Sequence, residues 1–198
     1  MSAAPRTLSP GNSAVYIHWG DGLMMAGRAG EARDKYIEAI IALPAPKSWT
    51  ALANWAARMN YRVSPPKIDR PQIADTPQAP AGGDGQSVWV NYSSARADWR
   101  KSVFSEKHPA EKQYRHTIEE EAAALSTVAD AVDLQKPSRR DPQLAILAEL
   151  RKAGLLQAWI FLSASDTGIA QDYTAYRDGH REQLRTYIEK FVIRSAGN

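Results

Sequence analysis

Histidine and carboxylate side chains are the first candidates for chemistry in this sequence. His116 is followed by Glu119 and Glu120, so a helix would place an imidazole and two carboxylates on one face. Zinc sites use these ligand types, but they need three or four of them, and no second histidine–carboxylate pair is spaced to complete a set. We therefore expect no metal site. The three consecutive glutamates are interpreted as a solvated helix face to which His116 pairs.

The other candidate motifs for catalysis are incomplete. Ser163, Ser165 and Asp166 offer a hydroxyl and an acid, but no G-x-S-x-G elbow is present, and such residues before a helix are ordinary caps. The glycine-rich run at 82–85 lacks the lysine and serine of a phosphate-binding loop. His180 falls on an apolar helical stripe, which is typical of a half-buried histidine bonded to a neighbour. The sequence therefore predicts no catalytic residue and no cofactor.

Three arginines four residues apart form a ridge on the predicted last helix: Arg177, Arg181 and Arg185. Guanidinium groups in a line can bind phosphates or an acidic partner, so these are candidate anion-binding residues. Carboxylates are interleaved with them and can neutralise the ridge locally: Asp178, Glu182 and Glu189. A self-paired, solvated face is the simpler interpretation.

Helices must position these residues, and the most regular pattern is a hairpin between Tyr16 and Pro44. Apolar and small residues recur there at steps of three and four, with glycines at the expected turn. Gly20 and Ala32 fall where two antiparallel helices would cross closely. Pro44 ends the second helix, because the residue before a proline is disfavoured in helical geometry.

This stretch resembles a tetratricopeptide repeat, a helix pair of about 34 residues. The resemblance is carried by nine residues at the family's packing positions: Tyr16, Trp19, Gly20, Leu23, Gly27, Ala32, Tyr36, Ala39 and Pro44. Trp19 stands where the family more often has Leu, and Tyr16 where Trp is common. Stable arrays need about three stacked units, so the rest of the chain would have to supply the neighbours.

The resemblance implies a concave groove that holds a peptide or a partner helix. Carried onto this sequence, the groove positions are Ile17, Asp21, Met24 and Met25. Paired methionines adapt to varied apolar partners, although both could equally be core residues. Ile17 and Asp21 depart from the Lys and Asn with which the family holds a free carboxyl terminus. Binding of a chain end is therefore not expected.

The remaining chain predicts an all-α fold of about seven helices, arranged as a short solenoid or an irregular bundle. Residues 13–62 form N-terminal tetratricopeptide-like helices, 63–87 a Pro/Gly-rich linker, and 88–195 a C-terminal helical region packed with the first as one domain. The linker prediction rests on five prolines and three glycines in 64–87. The last helix is expected to run without interruption from about Ser165 to Ile193.

Three further local expectations follow from caps and periodicity. A third helix is expected from Pro46 to Met59, with an apolar face of Trp49, Leu52, Ala53 and Ala56. Another is expected from Lys112 to Leu134, with Tyr114 on its apolar stripe. Asn12 or Ser13 is expected to cap the first helix, and Asp141 to cap the helix that follows it.

Composition limits the class of protein further. The chain has 198 residues, a net charge of +3 and no cysteine, so neither a disulfide framework nor a thiolate metal site is available. No apolar stretch approaches the roughly 20 residues needed to span a bilayer. The first 13 residues carry no signal-peptide core. We expect a cytoplasmic protein with no membrane partner; a trimmed exported domain is the alternative.

These observations support three hypotheses. The first is a non-catalytic interaction module that binds another protein or a peptide through the groove. The second is a nucleic-acid-associated helical protein that uses the arginine ridge. The third, with least support, is an enzyme whose acid–base pair meets only in the fold. A polar pocket that joins His116 or His180 to a carboxylate would favour the third.

Overall fold

A computed structural model describes residues 12–70, 86–136 and 141–197, without the side chains of residues 86 and 87. The described chain is mostly helical, as expected, and has one small sheet. It divides into two compact units. The split unit combines 12–65 with 177–197, and the continuous unit comprises 66–176. This grouping differs from the expected boundaries, because residues 177–195 belong with the N-terminal helices.

Three helices open the split unit: α1 (Ser13–Met25), α2 (Ala29–Ala42) and α3 (Pro46–Arg58). The Asn12 side chain caps α1 by accepting a hydrogen bond from the Val15 amide at 3.4 Å. Gly27 has φ 73° at the turn to α2, a conformation that glycine adopts without strain. Pro46 occupies the first turn of α3. The hairpin and the third helix are thus confirmed.

Gly20 of α1 packs against the Tyr36 ring of α2. This residue is buried, and a Cβ atom placed on it would lie 2.6 Å from Tyr36 Cε1. Ala32, one helical turn before Tyr36, is fully buried. Small residues therefore do lie in the hairpin interface, and it is the Tyr36 ring that fills the space above Gly20.

A two-stranded antiparallel sheet, absent from the sequence expectation, belongs to the split unit. Strand β1 (Tyr61–Val63) follows α3 and pairs with β2 (Ile193–Ser195). The Ser64 amide extends the pairing by donating to the Val192 carbonyl at 2.9 Å. A strand of three residues is too short to show alternation of apolar and polar residues, so periodicity could not reveal it.

The single long last helix expected from the sequence is wrong. The segment consists of a 3-10 turn (Ile169–Asp172), α9 (Tyr173–Gly179), α10 (Arg181–Tyr187) and a π turn (Ile188–Val192). His180 interrupts it with φ −133° and ψ 33° and is exposed rather than part of the apolar stripe. Glycine has a low helix propensity, so Gly179 before it weakens the helix at this point.

The continuous unit contains five α-helices in its described part: α4 (Gln86–Asp98), α5 (Phe104–Lys107), α6 (Ile118–Asp133), α7 (Pro142–Lys152) and α8 (Leu156–Trp159). A π turn joins α4 to α5, and another follows α8. Asp141 caps α7 as expected by accepting from the Gln143 amide at 2.8 Å. Of the predicted linker, residues 71–85 lie outside the described chain. No helix in the described segments is long and apolar enough to cross a bilayer.

Helix α6 begins at Ile118, six residues later than the expected start at Lys112. Thr117 has extended backbone angles and accepts a hydrogen bond from the Glu120 amide at 3.2 Å, which makes it the N-cap. The sequence Thr117-x-x-Glu120 matches the spacing of a capping box, so a local signal for this start existed. Tyr114, expected on the helical stripe, precedes the helix.

Candidate partner-binding groove

A groove of about 590 Å³ opens between α1 and α3 in the split unit. All four positions named for partner binding line it: Ile17, Asp21, Met24 and Met25. They lie on one face of α1 because they are spaced by four, three and one residues. The structure therefore brings these residues together at one open surface.

The opposite wall of the groove is a face of α3 that sequence reasoning did not name. It consists of Lys47, Thr50, Ala51, Asn54, Trp55 and Arg58. The apolar face expected for α3 included Trp49 and Ala53, but these are half-buried and exposed respectively. Trp55 is buried instead, and its indole N–H donates to the Ala29 carbonyl at 2.8 Å. This bond fixes the rotation of α3, so its polar stripe faces the groove.

A hydrogen bond between α1 and α2 lies at the floor of the groove. The Tyr36 hydroxyl donates to Asp21 Oδ1 at 2.8 Å. Burial, together with this bond to a carboxylate, raises the pKa of Tyr36 to about 12. The hydroxyl therefore keeps its proton at physiological pH and holds the Asp21 carboxylate in place.

The apolar part of the groove is unusually open to solvent. Met25 is 91% exposed, while Met24 and Ile17 are half-buried. A methionine side chain is flexible and polarizable, so it can adjust to apolar groups of different shape. The expectation that both methionines might be core residues does not fit this exposure. The wall of α1 offers an adaptable apolar contact.

Two cations lie at the ends of the α3 wall. Lys47 stands in the first turn of α3 and Arg58 is its last residue. Within the described chain, neither side chain has a hydrogen bond or an ion pair to another residue. The carboxylate in the lining, Asp21, is engaged by Tyr36. The groove therefore has a positive balance of charge.

The first residue of the arginine ridge is a structural cap. Arg177 is only 8% exposed, and its guanidinium donates to the carbonyl of Ala42, the last residue of α2, at 3.3 Å. The same group pairs with Asp178 at 2.9 Å. Cations near a helix C-terminus satisfy free carbonyls and interact favourably with the helix dipole. Arg177 thus stabilises the end of α2.

The other two arginines of the ridge converge on one carboxylate of α2. Arg181 and Arg185 both pair with Glu38, Arg185 at 2.6 Å. Arg185 also lies 3.6 Å from Asp34 and 3.5 Å from Glu189. The ridge therefore does not present free guanidinium groups. Its positive charge is matched within the split unit.

The second polar cluster is in the continuous unit, where two of the three consecutive glutamates are buried. Glu121 is fully buried and accepts hydrogen bonds from Arg70 and from the Tyr92 hydroxyl, the latter at 2.7 Å. Glu120 is 1% exposed. It accepts from Arg96 at 2.9 Å and from the Tyr114 hydroxyl at 2.8 Å.

These contacts correct the expectation of a solvated glutamate face, since only Glu119 is exposed. Consecutive residues on a helix point about 100° apart, so three in a row cannot share one face.

His116 does not pair with Glu119 or Glu120 as expected. Its Nδ1 lies 2.6 Å from Asp166 Oδ2 and its Nε2 lies 3.0 Å from Glu121 Oε2. Burial disfavours the imidazolium, but the two carboxylates outweigh it and raise the pKa of His116. In turn, burial alone would raise the pKa of Glu121, whereas His116 and Arg70 hold it below its ordinary value.

The described residues contain no group of three or more histidine, aspartate or glutamate side chains with the geometry to hold a metal ion. The His116 cluster is instead a closed network of charge pairs, because each carboxylate faces a cation or hydroxyl of the protein. Comparison with protein-family models, with curated proteins and with solved structures finds no match to this chain.

Proposed function

We propose that this protein is an interaction module that holds a peptide segment of another protein in the groove between α1 and α3, without chemistry of its own. The observation that carries the proposal is the exposure of Met25 at the edge of a groove that all four candidate residues line. A large apolar side chain that is 91% exposed beside other apolar atoms is typical of a surface that is covered by a partner.

The repeat-like hairpin is consistent with this proposal. Two features of the hairpin agree with its resemblance to a tetratricopeptide repeat. Gly20 packs against the Tyr36 ring, and Ala32 is fully buried. In such arrays the first helix of each pair lines the binding surface. Helix α3 follows the hairpin directly and supplies the second wall, which is the position that the first helix of a next repeat would take.

The nucleic-acid alternative has less support, because its arginines are already paired. Arg181 and Arg185 share Glu38, and Arg177 caps α2. Phosphate binding by these groups would require them to exchange carboxylate partners for phosphate. Net binding energy would then be small compared with that of free arginines on a surface.

One observation bears directly on the enzyme alternative, because His116 contacts two carboxylates, those of Asp166 and Glu121. A general base must reach a substrate proton, directly or through one water molecule. Glu121 is fully buried and accepts hydrogen bonds from Arg70 and from the Tyr92 hydroxyl, and His116 Nε2 lies 3.0 Å from its Oε2. Both oxygens of Glu121 are therefore occupied. This arrangement favours a stabilising role over catalysis.

Selection from a displayed library of random twelve-residue peptides tests the proposal. Immobilised wild-type protein should enrich peptides that the Met25→Glu variant does not retain, because a carboxylate at the groove edge disfavours apolar contacts. Met25 is almost wholly exposed, so this change does not act through the core.

Met59→Glu is the matched control for that selection. Met59 is also an exposed methionine of the split unit, at 36%, but it does not line the groove. We expect this variant to retain the same peptides as the wild type. Equal enrichment by wild type and Met25→Glu would overturn the proposal, provided that circular dichroism shows equal helicity for all three proteins.

A further inference from the structure

We infer that the groove selects an extended peptide segment with two acidic side chains four or six residues apart and an apolar side chain between them. This inference rests on the proposed function and names the chemistry of its partner. It goes beyond that proposal because a groove with the same apolar wall and no end charges would bind a different class of peptide.

The first argument concerns the ion pairing of the two cations on α3. Lys47 and Arg58 have no ion-pair or hydrogen-bond partner within the described chain, although other cations of the same unit do. Arg28 pairs with Glu31, for example, at 2.5 Å. Both cations line the groove, so an occupant is the natural source of their counter-charge. Charge complementarity of this kind sets specificity more than total affinity.

The second argument is the separation of these cations. Lys47 and Arg58 are eleven residues apart on α3, which is about three turns and about 16.5 Å along the helix axis. Three turns return a residue to the same face, and both side chains do line the groove. An extended chain advances about 3.3 Å per residue. Because side chains of an extended chain alternate between two faces, two carboxylates that both face α3 must be four or six residues apart, about 13 or 20 Å.

The third argument concerns the conformation of the occupant. An α-helix satisfies its own backbone hydrogen bonds, whereas an extended chain leaves its N–H and C=O groups free to bond the lining of the groove. The Asn54 side chain lies between the cations on the α3 wall, and its amide can donate to and accept from the backbone of an extended chain.

The remaining lining residues set the middle of the peptide. Met24 and Ile17 on α1 face the α3 wall and provide the apolar contact. The Asp21 carboxylate would repel an acidic side chain on that side of the groove, and the Tyr36 hydroxyl holds the Asp21 carboxylate in position. Asp21→Asn should tighten the binding of an acidic peptide, because it removes the repulsion between two carboxylates. The asparagine oxygen can still accept the Tyr36 hydrogen bond.

The test uses the peptides that the wild-type protein selects from the twelve-residue library. Aligned sequences should show Asp or Glu pairs spaced by four or six residues around an apolar residue. Replacing both acids by Gln in a fluorescein-labelled peptide should weaken its Kd about fivefold to tenfold at 50 mM salt, as expected for two exposed ion pairs. At 500 mM salt the difference should nearly vanish, because screening is stronger.

Protein variants separate the end charges from the groove itself. In Lys47→Gln/Arg58→Gln, the acidic peptide and its Gln twin should bind equally. Lys190→Gln is the matched control, since Lys190 is an exposed lysine of the same unit outside the groove, and it should keep the wild-type preference.

Two results would overturn the inference. If the Gln twin binds wild type as tightly as the acidic peptide, while Met25→Glu still abolishes binding, the inference fails and the proposed function stands. If wild type enriches nothing over Met25→Glu, both fail together.

Discussion

Nδ1 of His116 lies 2.6 Å from Oδ2 of Asp166 and links the residues before α6 to the turn that precedes α9. The same two segments meet at Gly168, where a Cβ atom would lie 2.6 Å from the backbone oxygen of His116. Asp166 also accepts hydrogen bonds from the Gly168 and Ile169 amides, at 2.9 and 3.0 Å. A single aspartate thus caps its own turn and pairs with a histidine fifty residues away.

The pH dependence of stability should report on this link. The pKa of His116 is raised from its ordinary value near 6.5, so its stabilisation is complete below about pH 6.5 and is lost as pH rises through the raised value. Asp166 and Glu121 have lowered pKa values, so their stabilisation is present above about pH 4.5 and is lost as pH falls through those values. We expect the largest Tm difference between wild type and His116→Gln near pH 5–6, and a smaller one at pH 8–9.

Thermal unfolding followed by circular dichroism from pH 3 to 9 checks this prediction. His18→Gln is the control, because His18 is an exposed histidine of the split unit. This replacement should change Tm little, because the side chain is exposed. A His116→Gln difference that grows towards pH 9 would contradict the assignment of a charged imidazole.

Neutralising the buried carboxylate should be costly. Glu121→Gln keeps the shape of the side chain but leaves Arg70 without its counter-charge and the protonated His116 with Asp166 alone. We expect a loss of about 2–4 kcal/mol in the free energy of unfolding, measured by urea titration at pH 6. Glu119→Gln changes a neighbouring glutamate whose side chain is 45% exposed, and should stay within about 0.5 kcal/mol of wild type.

Two glycines of α1 should respond in opposite directions to alanine. Gly20→Ala places a methyl group 2.6 Å from the Tyr36 ring, so we expect a loss of about 1–3 kcal/mol in urea unfolding. Gly22→Ala meets nothing within 4 Å and gains helix propensity, so it should stabilise the protein by up to about 1 kcal/mol. Equal effects of the two changes would show that α1 and α2 do not cross closely at Gly20.

The shared carboxylate of α2 should hold α10 in place. Glu38→Gln removes the charge that Arg181 and Arg185 both contact, and we expect a loss of about 1–2 kcal/mol because these side chains are partly exposed. Glu182→Gln, an exposed glutamate on α10, should have little effect. The comparison is again made by urea titration. A loss caused by Glu182→Gln alone would mean that the arginines use a different partner.

The groove could be predicted only on one side. The resemblance of the hairpin to a tetratricopeptide repeat indicated Ile17, Asp21, Met24 and Met25 on α1. The wall of α3 was missed because Trp49 and Trp55 compete for its buried face in the sequence. The indole bond from Trp55 to the Ala29 carbonyl decides between them, and that bond is a tertiary contact with no sequence signal.

The ends of the helices could likewise be predicted only in part. Where a cap is local, as at Asn12 and Asp141, the sequence indicated the start of the helix. At Thr117 the capping signal was local too, but the apolar period of the sequence continues upstream of it. The helix was therefore expected to begin earlier than it does. The break at His180 and the strand β2 depend on pairing with distant residues, so periodicity alone extended the helix through both.

The pairing of β1 with β2 has a consequence for synthesis of the protein. Translation delivers every residue of 66–176 before it delivers the strand at 193–195, so the continuous unit can complete its core first. The split unit has α1, α2 and α3 early but lacks α10 and β2 until residues 181–195 have been translated. The proposed binding groove therefore lies in the unit whose last elements are translated after the whole of the continuous unit.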